Sequence, residues 1–503
     1  MINQRRNFLK GMLATMCQKY KENKDPQDTK HTGNSMTFMV RSRYCKSVLL
    51  LIMIFFVFPF LTNAMDGKIS LTLIPPTTVT NKTNLDIRAG FCNTGIEKQH
   101  LNVQFYINHV NNNALLYETQ IDIEPKTSKC VKFIMSTVDK VGLNKIILEV
   151  KGKGCQQRIV KQIEIINSEI RSTRTIDGAW IEFYHWSETE GKKWNLDIKK
   201  MTDSQWKELV MSMHKINMDI IVLQESFRNE MYVDKHHIDT EGYNGKAYYP
   251  STLYSSRMPI TANDPIEAIL SQADELGMHV FVGVGMYAWF DFTNASCEWH
   301  KNVAKELWEK YGNHSSFYGW YISEENSGGL DAFSTDSLTT VKKHQDIISF
   351  FKSFKQYCAS FAPDKPIMLA TNSSDIVKGE KIYPELLKYV DILCPFGFAR
   401  MPEGDLTGEQ AALRMQNLCN DAKAHLWLDL EAFLFHQEGY LYPRPMSEIM
   451  HDLTLFDNFE KVLCYQYTGV FNDPKMSIRI GEKSTIQLFL DYQKYLKRKF
   501  YKK

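Results

Sequence analysis

Eight times in succession a short apolar run gives way to an amphipathic one. The runs are "GAWIEFYH", "DIIVLQES", "HVFVGVGM", "FYGWYISEE", "PIMLATN", "VDILCPFGF", "HLWLDLEAF" and "KVLCYQY", with helix-like stretches between them. Parallel strands need a crossover, and a helix between each pair supplies it. Eight such units within residues 172–498 predict a (β/α)8 TIM barrel with some long loops. An open doubly wound sheet is the competing fold, but no glycine-rich phosphate turn follows the first strand. Two helix starts are explicit. In "NDPIEAILSQADELG", Asp264 caps, Pro265 suits the first turn, Glu267 closes a capping box and Gly277 ends the helix; in "TDSQWKELVMSMHKI", Thr202 or Asp203 caps.

Upstream, residues 66–167 read as strand after strand. "KISLTLI", "NLDIRAGF", "LNVQFYINHV", "ALLYETQIDI", "KCVKFIM", "NKIILEV" and "RIVKQIEII" alternate apolar and polar residues between turns rich in Asn, Thr, Gly and Lys. Seven short strands at this spacing predict a small all-β immunoglobulin-like sandwich. It holds no catalytic constellation and is expected to act as a spacer or a carbohydrate-binding accessory. Cys92, Cys130 and Cys155 share it, which allows one disulfide in an oxidising compartment, while Cys358, Cys394, Cys419 and Cys464 are expected to be buried thiols.

Residues 1–64 form a targeting segment. Arg41, Arg43 and Lys46 precede the apolar run Ser47 to Leu61, and the small residues Thr62 and Ala64 follow. A basic region, an apolar run and a small-residue site describe a secretory signal cleaved after Ala64. The mature protein is then periplasmic or extracellular, with no membrane contact after cleavage; an uncleaved signal anchor is the alternative. A net charge of +2 with no long basic run excludes nucleic acid as an expected partner. His236 and His237 lie mid-loop, without the spacing of a metal pair on a strand or helix, so no metal is expected. No cofactor is implied, and the oligomeric state is left open.

The chemistry of a (β/α)8 barrel lies at the carboxyl ends of its strands. In "HLWLDLEAF", Leu426, Leu428 and Leu430 share the face that packs on the helices, which turns Trp427, Asp429 and Glu431 inward. In "FYGWYISEEN", Trp320 and Ile322 suit the helix layer, so Tyr321, Ser323 and Glu325 look inward, and Glu324 does not unless the strand end bulges. Two inward carboxylates on opposite sides of one mouth have no packing rationale. They match glycosidic cleavage, where one carboxyl donates a proton to the leaving oxygen and the other attacks or activates water.

Here a resemblance enters. "GWYISEEN" resembles the strand-four motif of the clan-A glycoside hydrolases, in which a Trp-containing strand ends in Asn-Glu and the Glu is the acid/base. "WLDLEAF" resembles their strand-seven nucleophile. With "DGAWIEFYHW" and the "YYPS" loop, residues 177–496 are also similar to a family of secreted glycosidase-like barrels from polysaccharide-degrading bacteria, first known as domains of unknown function. The resemblance implies a retaining glycoside hydrolase with Glu325 as acid/base and Glu431 as nucleophile. The sequence departs from it twice. Glu324 stands where Asn usually contacts the sugar's 2-hydroxyl, and strand six ends in "CPFGFAR" without the Tyr that steadies the nucleophile. Glu324 is expected to bind a hydroxyl or tune its neighbour.

Other residues near the mouth are expected to bind substrate: Glu182, His185 and Trp186 after strand one, Gln224 and Glu225 at strand two, Tyr287 and Trp289 after strand three, Asn372 at strand five, Asp429, and Tyr465 and Tyr467 on strand eight. Aromatic faces stack on sugar C–H surfaces, and amides and carboxylates bind hydroxyls. The loop from Ser226 to Asn263, with Tyr248, Tyr249 and Tyr254, is expected to wall the cleft. A non-catalytic glycan-binding protein on the same barrel is the competing function, because barrels host many activities.

Overall fold

The computed structural model describes residues 67–501 except 154, 230–244, 255 and 286–289. The targeting segment, the pair His236 and His237, and the expected site residues Tyr287 and Trp289 therefore lie outside the described residues.

Eight strands come first: β1 (Gly67–Ile74), β2 (Val79–Thr80), β3 (Leu85–Asn93), β4 (Gln99–Ile107), β5 (Leu115–Ile123), β6 (Ser128–Met135), β7 (Gly142–Gly152) and β8 (Cys155–Ile166). Strands β1, β3 and β6 form one antiparallel sheet. The other sheet runs β2-β8-β7-β4-β5, with only the two-residue β2 parallel to its neighbour. Strand period two gives the sheets a shared core: Leu85, Ile87, Ala89 and Phe91 of β3 pack with Val103, Phe105, Ile146 and Leu148 of the other sheet. Cys92 and Cys130 are free thiols, not a bridge, because they sit out of register on paired strands, opposite Ser128 and Gly90.

The second set of strands is β9 (Gly178–Ile181), β10 (Ile220–Leu223), β11 (Phe227–Arg228), β12 (Lys246–Ala247), β13 (His279–Gly283), β14 (Phe317–Asn326), β15 (Ile367–Thr371), β16 (Ile392–Leu393), β17 (His425–Glu431), β18 (Phe433–Phe435), β19 (Leu441–Pro443) and β20 (Lys461–Tyr465). A closed parallel barrel runs β9-β10-β13-β14-β15-β16-β17-β20, the eight expected strands in sequence order. The intervening helices begin as their caps dictate. Thr202, not Asp203, caps Asp203–His214 and completes a capping box with Gln205. Asp264 accepts the Glu267 amide at the start of Pro265–Leu276, and Gly277 closes that helix at φ 68°. Among the described residues no helix is long and apolar enough to cross a membrane.

Trp180, Phe281, Tyr321, Met368, Trp427 and Leu463 fill the barrel interior. Trp320, Ile322, Leu426, Leu428 and Leu430 join the helix-layer core, as period two on β14 and β17 predicts. The all-β unit closes the amino end of the barrel. Ile74 shares a buried cluster with Ile220, Phe281 and Tyr318, and the Tyr318 hydroxyl donates to the Leu73 carbonyl at 2.7 Å. Beside it, Arg88 of β3 bridges Asp86 at 2.7 Å and Asp391 at 2.8 Å, and Lys355 reaches Asp391 at 2.9 Å. With its amino end covered, the barrel keeps its opposite mouth for chemistry.

Candidate active site

A cavity of about 400 Å³ opens at the carboxyl ends of the barrel strands. Its acidic wall is Glu190, Glu325, Asp429 and Glu431; Arg400 supplies the opposite charge, and Asn326, Asn372 and Tyr465 add polar groups. Trp186, Phe290, Phe333, Phe396, Phe433 and Phe435 give the rest of the lining an aromatic character. Of the expected residues, Trp186, Glu325, Asn372, Asp429, Glu431 and Tyr465 meet here.

Strand β14 delivers Glu325 through an irregular end. Ile322 pairs with Leu369, but Asn326 pairs with Thr371, so four residues of β14 span two of β15. Such a bulge re-aims side chains and lets the neighbours Glu325 and Asn326 both line the cavity. Glu324 is buried, and it is not among the described residues that line the cavity. Burial lifts the Glu325 carboxyl to about 7; Arg400 opposes that rise, while Glu190 and Glu431 add to it. The neighbouring negative charges that add to the rise are Glu190 and Glu431.

Strand β17 supplies the facing pair. Glu431 accepts a hydrogen bond from Arg400 Nε at 2.7 Å, and Arg444 Nη1 donates to the Glu431 backbone carbonyl at 3.0 Å. Arg400 comes from the short 3-10 turn Phe398–Arg400 after β16. A guanidinium therefore reaches the carboxylate from the segment where the Tyr is missing. Asp429 is buried one turn of the pleat below. Burial holds its carboxyl well above the usual range, with Glu431 and Glu325 adding to the rise. Its Oδ1 has no hydrogen-bond partner among the described residues.

Beneath the cavity lies a buried polar layer that takes up several of the remaining expected residues. His185 Nδ1 meets Glu182 at 2.6 Å and its Nε2 meets Glu190 at 3.1 Å. Burial disfavours a charged ring, but Glu182 and then Glu190 outweigh it and lift His185 to about 9. The Tyr465 hydroxyl donates to Glu182 at 3.3 Å, so Glu182 and His185 support cavity residues without lining the cavity. Glu225 is ion-paired with Arg228, both fully buried, and Gln224 is buried too. Tyr467 points the other way: it packs in the helix-layer core and hydrogen-bonds the Ser212 hydroxyl at 2.7 Å. Tyr248, Tyr249 and Tyr254 also pack against the helix layer and not as a cleft wall. Tyr249 donates to Glu306 at 2.6 Å, and Tyr254 stacks on Phe227 and Trp299.

Glu190, Phe290, Asn326, Phe333, Phe396, Arg400, Phe433 and Phe435 line the cavity without having been expected. Most follow a strand tip by a few residues. The available signal was that position: "CPFGFAR" and "LEAFLF" both continue past an inward strand end. Among the described residues no three His, Cys, Asp or Glu side chains converge as a metal ligand set.

The fold and this cavity define a (β/α)8-barrel protein with an acidic, aromatic-lined mouth. A family model described as "Domain of unknown function (DUF4434)" matches residues 176–477, and the chain belongs to that family. A comparison with curated proteins finds no match. Among solved structures, a Bacteroides thetaiotaomicron protein provisionally assigned as an alpha-L-fucosidase is 16% identical with a TM-score of 0.48, over 64% of this chain and 95% of that one. A Bacteroides uniformis beta-glucuronidase is 12% identical with a TM-score of 0.39, over 86% of this chain and 50% of its own length. A GH2 beta-galacturonidase from Eisenbergiella tayi is 12% identical with a TM-score of 0.35, over 82% of this chain and 69% of that one. Likeness at this level carries nothing about activity, so the functional reading rests on the cavity.

Proposed function

We propose that this protein is a glycoside hydrolase acting on a poly- or oligosaccharide, with Glu325 as general acid/base and Glu431 as nucleophile. The observation that carries the reading is that one cavity holds two strand-end carboxyl groups in unlike surroundings. Glu325 is lifted by burial to about 7 and so retains a proton near neutrality, whereas Glu431 is ion-paired with Arg400. A volume of about 400 Å³ and an aromatic lining suit sugar rings. In the retaining reaction that the clan-A resemblance implies, Glu325 gives its proton to the glycosidic oxygen as that bond breaks. Glu431 Oε2, the oxygen not held by Arg400 Nε, bonds to the anomeric carbon. Water then gives a proton back to Glu325 and its hydroxyl to the anomeric carbon, releasing Glu431. Asp429, whose carboxyl burial raises, lies in the same cavity within reach of a sugar hydroxyl. On the same reading the protein is exported, as the apolar run Ser47 to Leu61 and the small residues after it support.

The test is a screen of the purified protein against polysaccharides and aryl glycosides, beside Glu431→Gln and Glu325→Gln. Glu431→Gln is expected to abolish turnover on every substrate. Glu325→Gln should lose about 10²–10⁴-fold on natural glycosides, yet keep aryl substrates whose leaving group needs no proton. A parent protein that binds a glycan as tightly as both variants and turns none over would overturn the enzyme reading in favour of a glycan-binding protein.

A further inference from the structure

In "RIVKQIEII" one residue breaks the strand pattern. Ile159, Ile163 and Ile165 of β8 pack with the core between the two sheets, and Lys161 shares their parity. An ammonium group on the apolar face of a strand is costly unless it is paired. Lys161 nevertheless has no hydrogen-bonded or ion-paired partner among the described residues, and burial, then Lys365, holds its ammonium below the usual range. It points into a second cavity of about 260 Å³ where the all-β unit meets the barrel, shared with Lys68 of β1 and with Lys365, just before β15.

Three cations thus converge from three parts of the chain, and Asp364 is the one acidic side chain among the lining residues. Its oxygens are already taken by hydroxyls: Ser70 donates at 2.7 Å and Thr72 at 2.5 Å, while Lys365 Nζ stands 3.5 Å away. Lys68 donates to the Gly312 carbonyl and lies over the Trp308 ring. His314, also in the lining, is committed to Asp274 at 2.7 Å and Glu267 at 3.1 Å. Lys161 and Lys365 line a smaller adjoining cavity with His279, whose ring is held at about 3 by burial and then by these same lysines and Lys461. Asp364 offsets one of the three positive charges, and no other acidic side chain among the described residues lines the cavity.

We propose that this cavity is an oxyanion site, in which Lys161 and Lys365 grip a sulfate or phosphate group, free or esterified on a glycan, with Lys68 at the rim. Lysine ammonium groups bind such groups as point charges, and two from different elements hold one anion between them. The site lies at the closed end of the barrel and is separate from the carboxylate cavity. Because its ligands come from β8 and from the barrel, a bound anion ties the two units together and raises thermal stability by mass action.

The test uses the full chain. Thermal unfolding and calorimetric titration are run with sulfate and with phosphate against chloride at matched ionic strength, on the parent and on Lys161→Met, Lys365→Gln and the control Lys494→Met. The expected result is a saturable rise in Tm with the oxyanions, at least tenfold weaker binding in the first two variants and none of that loss in the control. Lys161→Met places an apolar side chain on an apolar face, so it should fold; circular dichroism checks this, and Lys365→Gln provides an independent reading. A sulfated monosaccharide that binds more tightly than inorganic sulfate, with its unsulfated parent silent, assigns the group to a glycan; equal or weaker binding assigns it to the free ion. A Tm shift no larger than that in chloride, or an undiminished shift in Lys161→Met, overturns the proposal.

Discussion

Glu325 sits between charges of opposite sign, and its affinity for a proton follows from their balance. Burial and the carboxylates of Glu190 and Glu431 raise it; the Arg400 guanidinium lowers it. If Glu325 must be protonated to act, kcat/KM falls as pH rises through about 7. Glu190→Gln removes a negative neighbour, so the alkaline limb should move to lower pH. Arg400→Gln removes the positive one, so the limb should move to higher pH. The same change also loses the charge-assisted bond to Glu431, worth about 1.5–3 kcal/mol, or about 10- to 150-fold in kcat. Profiles of kcat/KM against pH for the three proteins decide it; limbs that do not separate in these opposite directions sink the assignment of Glu325. The carboxylates themselves were legible in the sequence, because strand parity turns an acidic face inward with no packing reason for it. Arg400 was not, because parity ends with the strand and the turn that carries it follows no period.

At the scale of elements, the strand ends matter more than the strands. Strand β14 departs from regular pairing twice: once between Phe317 and Gly319, which lets Tyr318 and Tyr321 both enter the interior, and again at the bulge before Asn326. A Cβ at Gly319 would meet the Pro366 carbonyl oxygen at 2.6 Å, so this close approach needs glycine. Beyond the strand, Asn326 Oδ1 accepts the amides of Ser327 and Ala332, and Asp331 Oδ1 accepts the Ser327 hydroxyl at 2.8 Å and the Phe333 amide at 3.0 Å. Leu330, Ala332 and Phe333 all have positive φ, a run that these side-chain acceptors hold in place. The run presents Phe333, 47% exposed, to the cavity against Phe290. Asp331→Ala should release it and raise KM about 2- to 12-fold, the worth of one aromatic contact at about 0.5–1.5 kcal/mol. The alkaline limb of the pH profile should stay where it is, since Asp331 does not enter the balance around Glu325. Unchanged KM would show that Phe333 does not touch substrate. The helix caps at Thr202 and Asp264 were readable because capping is a local rule; the β14 bulge was open in the sequence, because no local residue pattern marks where the pairing with β15 slips.

The division of the whole chain into an all-β unit and a barrel was written in the change of period near residue 170, but the way the two join was not. In "LDIRAGF", Asp86 and Arg88 are the polar positions of an alternating strand. They are buried against the barrel, where the Asp86–Arg88–Asp391 chain is joined by Lys132, Lys355 and His425. Removing one member of such a cluster leaves charge buried and unpaired, which costs about 3–5 kcal/mol. Arg88→Met should therefore lower Tm sharply, while kcat at low temperature is kept because the carboxylate cavity is at the other end. The cluster also sets a pH window. Arg88 holds the Asp86 and Asp391 carboxyls below their ordinary range against the cost of burial, so their contribution is present above about 3.9 and is lost as pH falls. His425 is disfavoured by burial but lifted to about 9 by Glu460 and Asp86, so its contribution is full below about 6.5 and is lost as pH rises toward 9. His185, lifted to about 9 by Glu182 and Glu190, acts in the same direction. The two rings thus contribute a decline in Tm between about pH 6.5 and 9. His425→Gln should remove part of that alkaline decline, leaving the share that belongs to His185. A parent Tm that stays flat from pH 6.5 to 9 would mean that neither ring is charged in the folded protein, and that the floor of the barrel is held by Arg88 and the lysines alone.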